Sequence, residues 1–128
     1  MSETRPWSAD QLDRIGTAEE LQLASRRGDD SLRGFVTMWV VRLDDDLYVR
    51  SAHGSTNPWY RRARSSGTGR IRAGGVEQDV IFADADPGVQ AAVTAAYHSK
   101  YDRYGPAIVG TVTGDHAGEV TIRLVPRA

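Results

Sequence analysis

The sequence predicts an α+β domain built as a small antiparallel β-barrel with helices at its rim. Three observations lead there. Strand-like alternation of apolar and polar residues recurs along much of the 128-residue chain. Most segments between those stretches are too short for parallel crossovers, which need a dozen residues or more. Two helix starts of N-cap-plus-proline form, Asn57-Pro58 and Asp86-Pro87, interrupt the strands. A barrel with helices at its rim is the simplest way to bury the resulting apolar faces.

Ser8-Ala9-Asp10-Gln11 has the form of a capping box and predicts a short helix from Ala9 to Thr17, with Leu12 and Ile15 inward. Leu21 to Ala24 alternates as a strand, and Gly28-Asp29-Asp30 is a turn. Phe35 to Leu43 reads as one strand, apolar on both faces and so covered on both sides. Asp44 to Asp46 turns the chain into a return strand, Leu47 to Ser51. After Pro58 a helix of about two turns runs through Arg61, Arg62 and Arg64 and stops before Gly67. Arg70 to Arg72 and Val76 to Phe82 form a hairpin around Gly74-Gly75. The longest helix opens at Asp86-Pro87 and carries Val89, Val93, Tyr97, Lys100 and Tyr104 at helical spacing until Gly105-Pro106 stops it. Ile108 to Val112 and Val120 to Val125 are read as the last two strands, joined by Gly114 to Gly118.

Length and composition fit one domain spanning residues 1–128, able to fold without staples. There is no cysteine, which excludes disulfides and thiolate metal sites. His53, His98 and His116 lack metal-ligand spacing, so no metal is expected. Met1 to Asp10 has no apolar core of signal-peptide type, and the apolar run Phe35 to Val41 is too short to span a bilayer. A cytoplasmic protein without membrane attachment is expected.

The net charge of −1 is unevenly laid out. Residues 1–46 hold ten acids against six arginines, and residues 77–128 seven acids against four bases. Residues 47–76 hold six arginines and no acid. A cationic block in a neutral protein suits a small anionic ligand better than nucleic acid, whose binding shows in the charge of the whole domain. The alternative is a solvated arginine face. All sixteen basic residues except Lys100 are arginine, a bias typical of GC-rich, actinobacterial-type genomes that need not reflect arginine's bidentate geometry.

The segment from Arg50 to Arg64 is the best candidate site. A strand delivers Arg50 and Ser51 to a loop containing Gly54 and Ser55, which enters a helix N-terminus at Pro58, Trp59 and Tyr60. Free amides and the helix dipole attract phosphate there, and Arg50 or Arg61 could add a charge-assisted fork. The plainer alternative is a capped helix whose arginines face water. Trp39, Trp59 and Tyr60 could wall a flat ring, though core packing serves Trp39 as well. Tyr97, Tyr101 and Tyr104 cluster at spacings of three and four, fit for core or dimer packing or for closing a cleft. No catalytic acid, base or nucleophile is identifiable.

The runs Leu47-Tyr48-Val49-Arg50-Ser51, Trp59-Tyr60-Arg61 and Gly69 to Val76 resemble the uncharacterised bacterial family DUF2255. So do Ala96-Tyr97, Lys100-Tyr101, Tyr104 and the ending Thr121 to Arg127, and the resemblance covers nearly the whole chain. Ser51, Gly54, Pro58, Trp59 and Tyr60 are also similar to the deazaflavin-dependent nitroreductase family. The chain departs from that family at Arg26-Arg27-Gly28-Asp29-Asp30, where acids replace the Ser-Gly of a Gly-Arg-x-Ser-Gly turn, and it lacks the family's loop lysine. Both resemblances imply a split β-barrel of about six to seven strands, often completed as a homodimer. The similarity to the nitroreductases makes FMN or the deazaflavin coenzyme a candidate ligand near Arg50, Ser51, Gly54, Ser55, Trp59, Tyr60 and Arg61, while the DUF2255 resemblance brings no activity with it. A flavin- or deazaflavin-dependent oxidoreductase is the leading expectation. The others are a non-catalytic module for a phosphate-bearing metabolite or nucleotide, and a protein-interaction barrel.

Overall fold

Period-two alternation builds a seven-stranded antiparallel sheet in the computed structural model, which describes residues 4–52, 54–114 and 117–127. The strands are β1 (Leu21–Ser25), β2 (Val36–Met38), β3 (Val41–Leu43), β4 (Asp46–Arg50), β5 (Thr68–Ala73), β6 (Val76–Asp84) and β7 (Thr121–Pro126). Four α-helices accompany them among the described residues: α1 (Ala9–Thr17), α2 (Pro58–Ser66), α3 (Gln90–Tyr101) and α4 (Pro106–Thr113). The strand order is β2-β1-β5-β6-β7-β4-β3. Its two edge strands are consecutive in the chain, separated by Trp39 and Val40 alone. The sheet therefore curls until its edges approach, and the fold is a split barrel.

One inner core fills the curl. Leu21 and Leu23 of β1, Ile71 of β5, Val80 of β6, Leu47 and Val49 of β4, and Ile122 and Leu124 of β7 meet there. Helix α1 adds Leu12 and Ile15; α2 adds Trp59, Tyr60 and Ala63. The Ser8 capping box starts α1 as the sequence predicts. Gly74 and Gly75, with φ of 57° and 81°, make the tight β5–β6 turn. A second core lies on the outer face, where Val41 and Tyr48 pack against Val93, Tyr97 and Tyr101 of α3 and Val109 and Val112 of α4. Each burial face removes apolar surface from water, the main favourable term in folding.

Three expectations are corrected. The single strand over Phe35 to Leu43 is two, with β2 paired to β1 and β3 paired to β4. The chain breaks at Trp39-Val40 because it must cross from one edge of the curled sheet to the other. The segment Ile108 to Val112 is helix α4, not a strand. Gly105 (φ 98°) ends the preceding turn, and Pro106 then opens the new helix. Val109 and Val112 are buried while Ile108 is exposed, a spacing of three that suits a helix face. Short apolar runs do not discriminate helix from strand by periodicity. The long helix also ends earlier, at Tyr101, followed by a 3-10 turn over Asp102–Tyr104; another 3-10 turn over Pro87–Val89 precedes it.

No helix among the described residues is long and apolar enough to cross a membrane.

Candidate functional site

Two clefts with a shared wall meet around α2, one basic and one apolar. The basic cleft has a volume of about 710 Å³ and lies between α2 and the loop that joins β1 to β2. Arg61 and Arg62 line it from the helix, and Arg26, Arg27 and Arg33 from the loop. Asp30 is the one acid among the described residues of its lining. Arg26 is tied down, donating to the Asp79 carboxylate at 3.1 Å and to the Asp30 carbonyl at 2.9 Å, although its buried Nε has no hydrogen-bond partner among the described residues. Arg27 donates to Ser31 Oγ and the Leu32 carbonyl. The guanidinium groups of Arg33, Arg61 and Arg62 have no partner among the described residues. Elsewhere most arginines meet a carboxylate, as Arg42 does at Asp13 and Arg72 at Glu77. Three unmatched cations facing one hollow leave it with a surplus of positive charge.

The loop's acids do little to cancel it. Asp29 accepts from the Ser31 amide and hydroxyl at 3.0 and 2.6 Å, and those bonds hold its carboxyl below the ordinary range. Asp30 sits at φ 73° at the turn's apex, with its carboxylate 3.9 Å from Arg26 Nε.

The apolar cleft has a volume of about 310 Å³. Trp39 and Trp59 wall it, with Val36, Met38, Ile108 and Val112 filling between them and Asn57 offering an amide. Trp39 stacks on Tyr101 at 4.1 Å and tilts against Tyr104 at 5.4 Å. Trp59 is buried and meets Tyr60 edge-on at 6.0 Å. A small recess shares Arg33 and Arg62 with the basic cleft and Val36 and Trp59 with the apolar one. The recess holds only about 10 Å³, so the two clefts lie on either side of a wall made by Arg33, Val36, Trp59 and Arg62, cationic on one side and aromatic on the other.

The expected site residues separate into different tasks. Arg61 lines the basic cleft, and Trp59 and Arg50 line the apolar one. Arg50 is buried on the outer face of β4, and all its N–H groups have protein acceptors. Nε donates to Thr121 Oγ1, one terminal nitrogen to Thr94 Oγ1 and the Val112 carbonyl, and the other to the Gln90 carbonyl and Gln90 Oε1, at 2.8 to 3.0 Å. Burial pulls its pKa down. It therefore has no free N–H to fork a phosphate. Ser51 is fully buried, and its hydroxyl donates to the Gly54 carbonyl at 2.6 Å, stapling the turn. Gly54 supplies the positive φ of 91° that this turn requires. Ser55 is exposed at the turn, outside the linings of both clefts. Tyr60 belongs to the inner core, and its hydroxyl donates to the Glu119 carbonyl at 3.3 Å. Asn57 starts α2 without a side-chain cap, and its amide donates to the Ala52 carbonyl instead.

The sequence reading missed Arg26, Arg27, Arg33 and Arg62 as cleft residues. Segmental charge counting grouped the first three with the acidic N-terminal third. Their signal was present in another form, because the Arg26-Arg27 turn is where the chain departs from the nitroreductase pattern. His53 and His116 lie outside the described residues.

A family profile described as an uncharacterised protein conserved in bacteria, DUF2255, matches residues 11–124. No curated protein matches the chain. Among solved structures, an FAD-binding protein from Mesorhizobium loti has 16% sequence identity and a TM-score of 0.56, over 98% of this chain and 94% of that one. A conserved hypothetical protein from Mycobacterium tuberculosis has 12% identity and a TM-score of 0.59, over 95% and 80%. An F420 reductase has 16% identity and a TM-score of 0.57, over 91% and 92%. At these identities the likeness is one of fold.

Proposed function

We propose that this chain, which belongs to the DUF2255 family of uncharacterised proteins conserved in bacteria, binds a flavin- or deazaflavin-type cofactor and is an oxidoreductase. The observation that carries the proposal is a basic cleft lined by Arg33, Arg61 and Arg62 beside an apolar cleft lined by Trp39 and Trp59. The pair offers unmatched guanidiniums to a phosphate and a flat apolar slot to a ring. FMN and the deazaflavin coenzyme both join an anion to a flat ring by a short chain. The FAD-binding protein and the F420 reductase that share the fold agree with this reading.

Such a cofactor, when bound, supplies the hydride chemistry itself; the protein's part is to bind, orient and exclude water. Arg33, Arg61 and Arg62 would hold the anionic end, with Arg27 adding charge. Trp39 and Trp59 would bracket the ring. The loop Gly54 to Trp59, with Ser51 as its staple, would set the position of α2 rather than touch the phosphate. Ile108, 49% exposed, lines the apolar cleft, and Tyr104 is also exposed. A second copy covering them would complete a homodimeric site. The reading also assigns the protein to the cytoplasm, acting on a small molecule and not on nucleic acid.

One observation favours a second reading. Arg50 is the one ionisable residue in the described lining of the apolar cleft, so no side-chain acid or base stands ready there. A non-catalytic module for a phosphate-bearing nucleotide would need none.

The test is a titration of the purified protein with FMN, FAD and the deazaflavin coenzyme, following the tryptophan emission, to which Trp7, Trp39 and Trp59 contribute. Saturable quenching at micromolar ligand, weakened in Arg61→Ala/Arg62→Ala, is the expected result. Quenching by nucleotides without rings of flavin type would move the assignment to the second reading. No response to any of them would overturn both.

A further inference from the structure

Among the described residues, Arg50 has no carboxylate partner and is the one charged group in the lining of the apolar cleft. It is 2% exposed and lines the apolar cleft beside Trp39 and Trp59. The groups that face it are Gln90 and Thr94 from α3, the Val112 carbonyl from α4 and Thr121 from β7, none of which titrates. Tyr97 lies under it, ring centroid at 5.7 Å, and burial holds that phenol protonated by pushing its pKa far up. No carboxylate among the described residues pairs with it. Its hydrogen bonds are fully met, while no charge among the described residues neutralises it. Buried charges are ordinarily paired, because the interior screens them poorly.

We propose that the apolar cleft selects flat rings bearing a delocalised negative charge, of phenolate or enolate type, and that Arg50 makes the selection. With every N–H taken, Arg50 cannot fork a carboxylate or a phosphate, which want two donors in hand. It acts as a fixed positive charge felt across a wall of low polarity. An anion spread over a ring needs few hydrogen bonds when it leaves water, and the cleft lining of Trp39, Trp59, Val36 and Met38 offers it apolar surface. The inference deepens the proposed function, since it rests on the apolar cleft taking a ring. It makes Arg50 a positioning and electrostatic residue, and it separates that role from the anion-holding role of Arg33, Arg61 and Arg62.

The test uses a probe unrelated to flavins. 7-Hydroxycoumarin is a flat phenol whose neutral and anionic forms absorb at different wavelengths, and 7-methoxycoumarin has nearly its shape without the ionisation. Both are titrated against the full chain by tryptophan quenching, and the bound phenol is titrated with pH by absorbance. The expected result is binding of both and a phenol pKa lowered on binding by about one unit, which means the anion binds about tenfold more tightly. Arg50→Lys should keep most of that shift and Arg50→Gln should lose it. Arg14→Ala, which removes an exposed arginine paired with Asp10 and outside both clefts, should leave it unchanged. An unshifted or raised pKa in the unmodified protein overturns the inference while methoxycoumarin binding leaves the ring cleft standing. A shift that survives in folded Arg50→Gln, or vanishes in Arg14→Ala, also overturns it. If Arg50→Gln does not fold by circular dichroism, the comparison of the unmodified protein with Arg50→Lys and Arg14→Ala decides. If neither coumarin binds, the ring cleft and the inference fall together.

Discussion

The rings of Trp39 and Tyr101 lie parallel, 4.1 Å apart with an interplanar angle of 5°. The hydroxyl of that same tyrosine accepts from the Val40 amide at 3.2 Å and approaches the Val40 carbonyl at 3.0 Å and the Glu19 carbonyl at 2.9 Å. One α3 side chain thus holds the corner at which the chain passes from β2 to β3, the two edges of the split barrel. Lys100 adds a bond to the same Val40 carbonyl at 2.7 Å.

Tyr101→Phe should therefore keep the stack and lose the corner. The Val40 amide, on a residue buried to 0% exposure, would be left unpaired. An unmet buried donor costs about 1–3 kcal/mol. Urea unfolding should show a loss of that size, with the native tryptophan emission little changed. A loss below about 0.5 kcal/mol would mean that solvent or a neighbour replaces the hydroxyl.

Arg33, Arg61 and Arg62 should be dispensable for stability. Each lacks a partner among the described residues, so single alanine variants should change unfolding free energy by no more than about 0.5 kcal/mol. The same variants should weaken FMN binding, about tenfold for each arginine removed, and the unmodified protein should bind more weakly as salt rises. A destabilised Arg62→Ala with unchanged affinity would place that arginine among the structural ones.

Gly69 has no room for a side chain. A Cβ there would lie 2.1 Å from the Ala24 carbonyl oxygen and 2.7 Å from the Phe82 ring. Gly69→Ala must push β5 away from β1, and should cost about 3 kcal/mol in a denaturant melt. Gly28→Ala, which meets nothing within 4 Å, is the matched control.

Stability should rise with alkalinity before it falls. Burial lowers the Lys100 pKa from its ordinary 10.5 to about 8. Between those values the unfolded chain binds a proton that the folded chain has released, so folding is favoured as pH climbs from about 8. Burial raises Tyr101 from 10.0 to about 12, so above pH 10 the folded chain keeps a proton that the unfolded chain loses, and stability declines. Thermal melts from pH 7 to 11 should pass through a maximum near pH 10. Lys100→Met should remove the rising limb and leave the falling one.

The sequence by itself determined most of the local structure. The Ser8 capping box, the Asp44 turn, the Gly74-Gly75 hairpin and the start of α2 at Asn57-Pro58 all depend on neighbours a few residues apart, and their chemistry is written in those neighbours. Chain length and the strand alternation likewise sufficed for a small antiparallel barrel. Two apolar runs were ambiguous for the same reason. Phe35 to Leu43 and Ile108 to Val112 are too short for their own periodicity to decide, and it is the curl of the sheet and the packing of α4 on α3 that split one and coil the other.

The candidate site was legible in single residues more than in its outline. Arg61 lines the basic cleft and Trp59 the apolar one, but Arg33 comes from a loop 28 positions before Arg61 in the sequence. No count along the chain brings those two together; antiparallel pairing of β1 with β2 and β5 does. The same holds for Arg50. Its position on β4 is plain in the alternation Leu47, Tyr48, Val49, Arg50, yet whether its charge faces a ligand or a ring of neutral oxygens depends on Gln90, Thr94, Val112 and Thr121 arriving from three other elements. Local backbone preferences are set by near neighbours, whereas the solvation of a charge is set by whatever the fold packs against it.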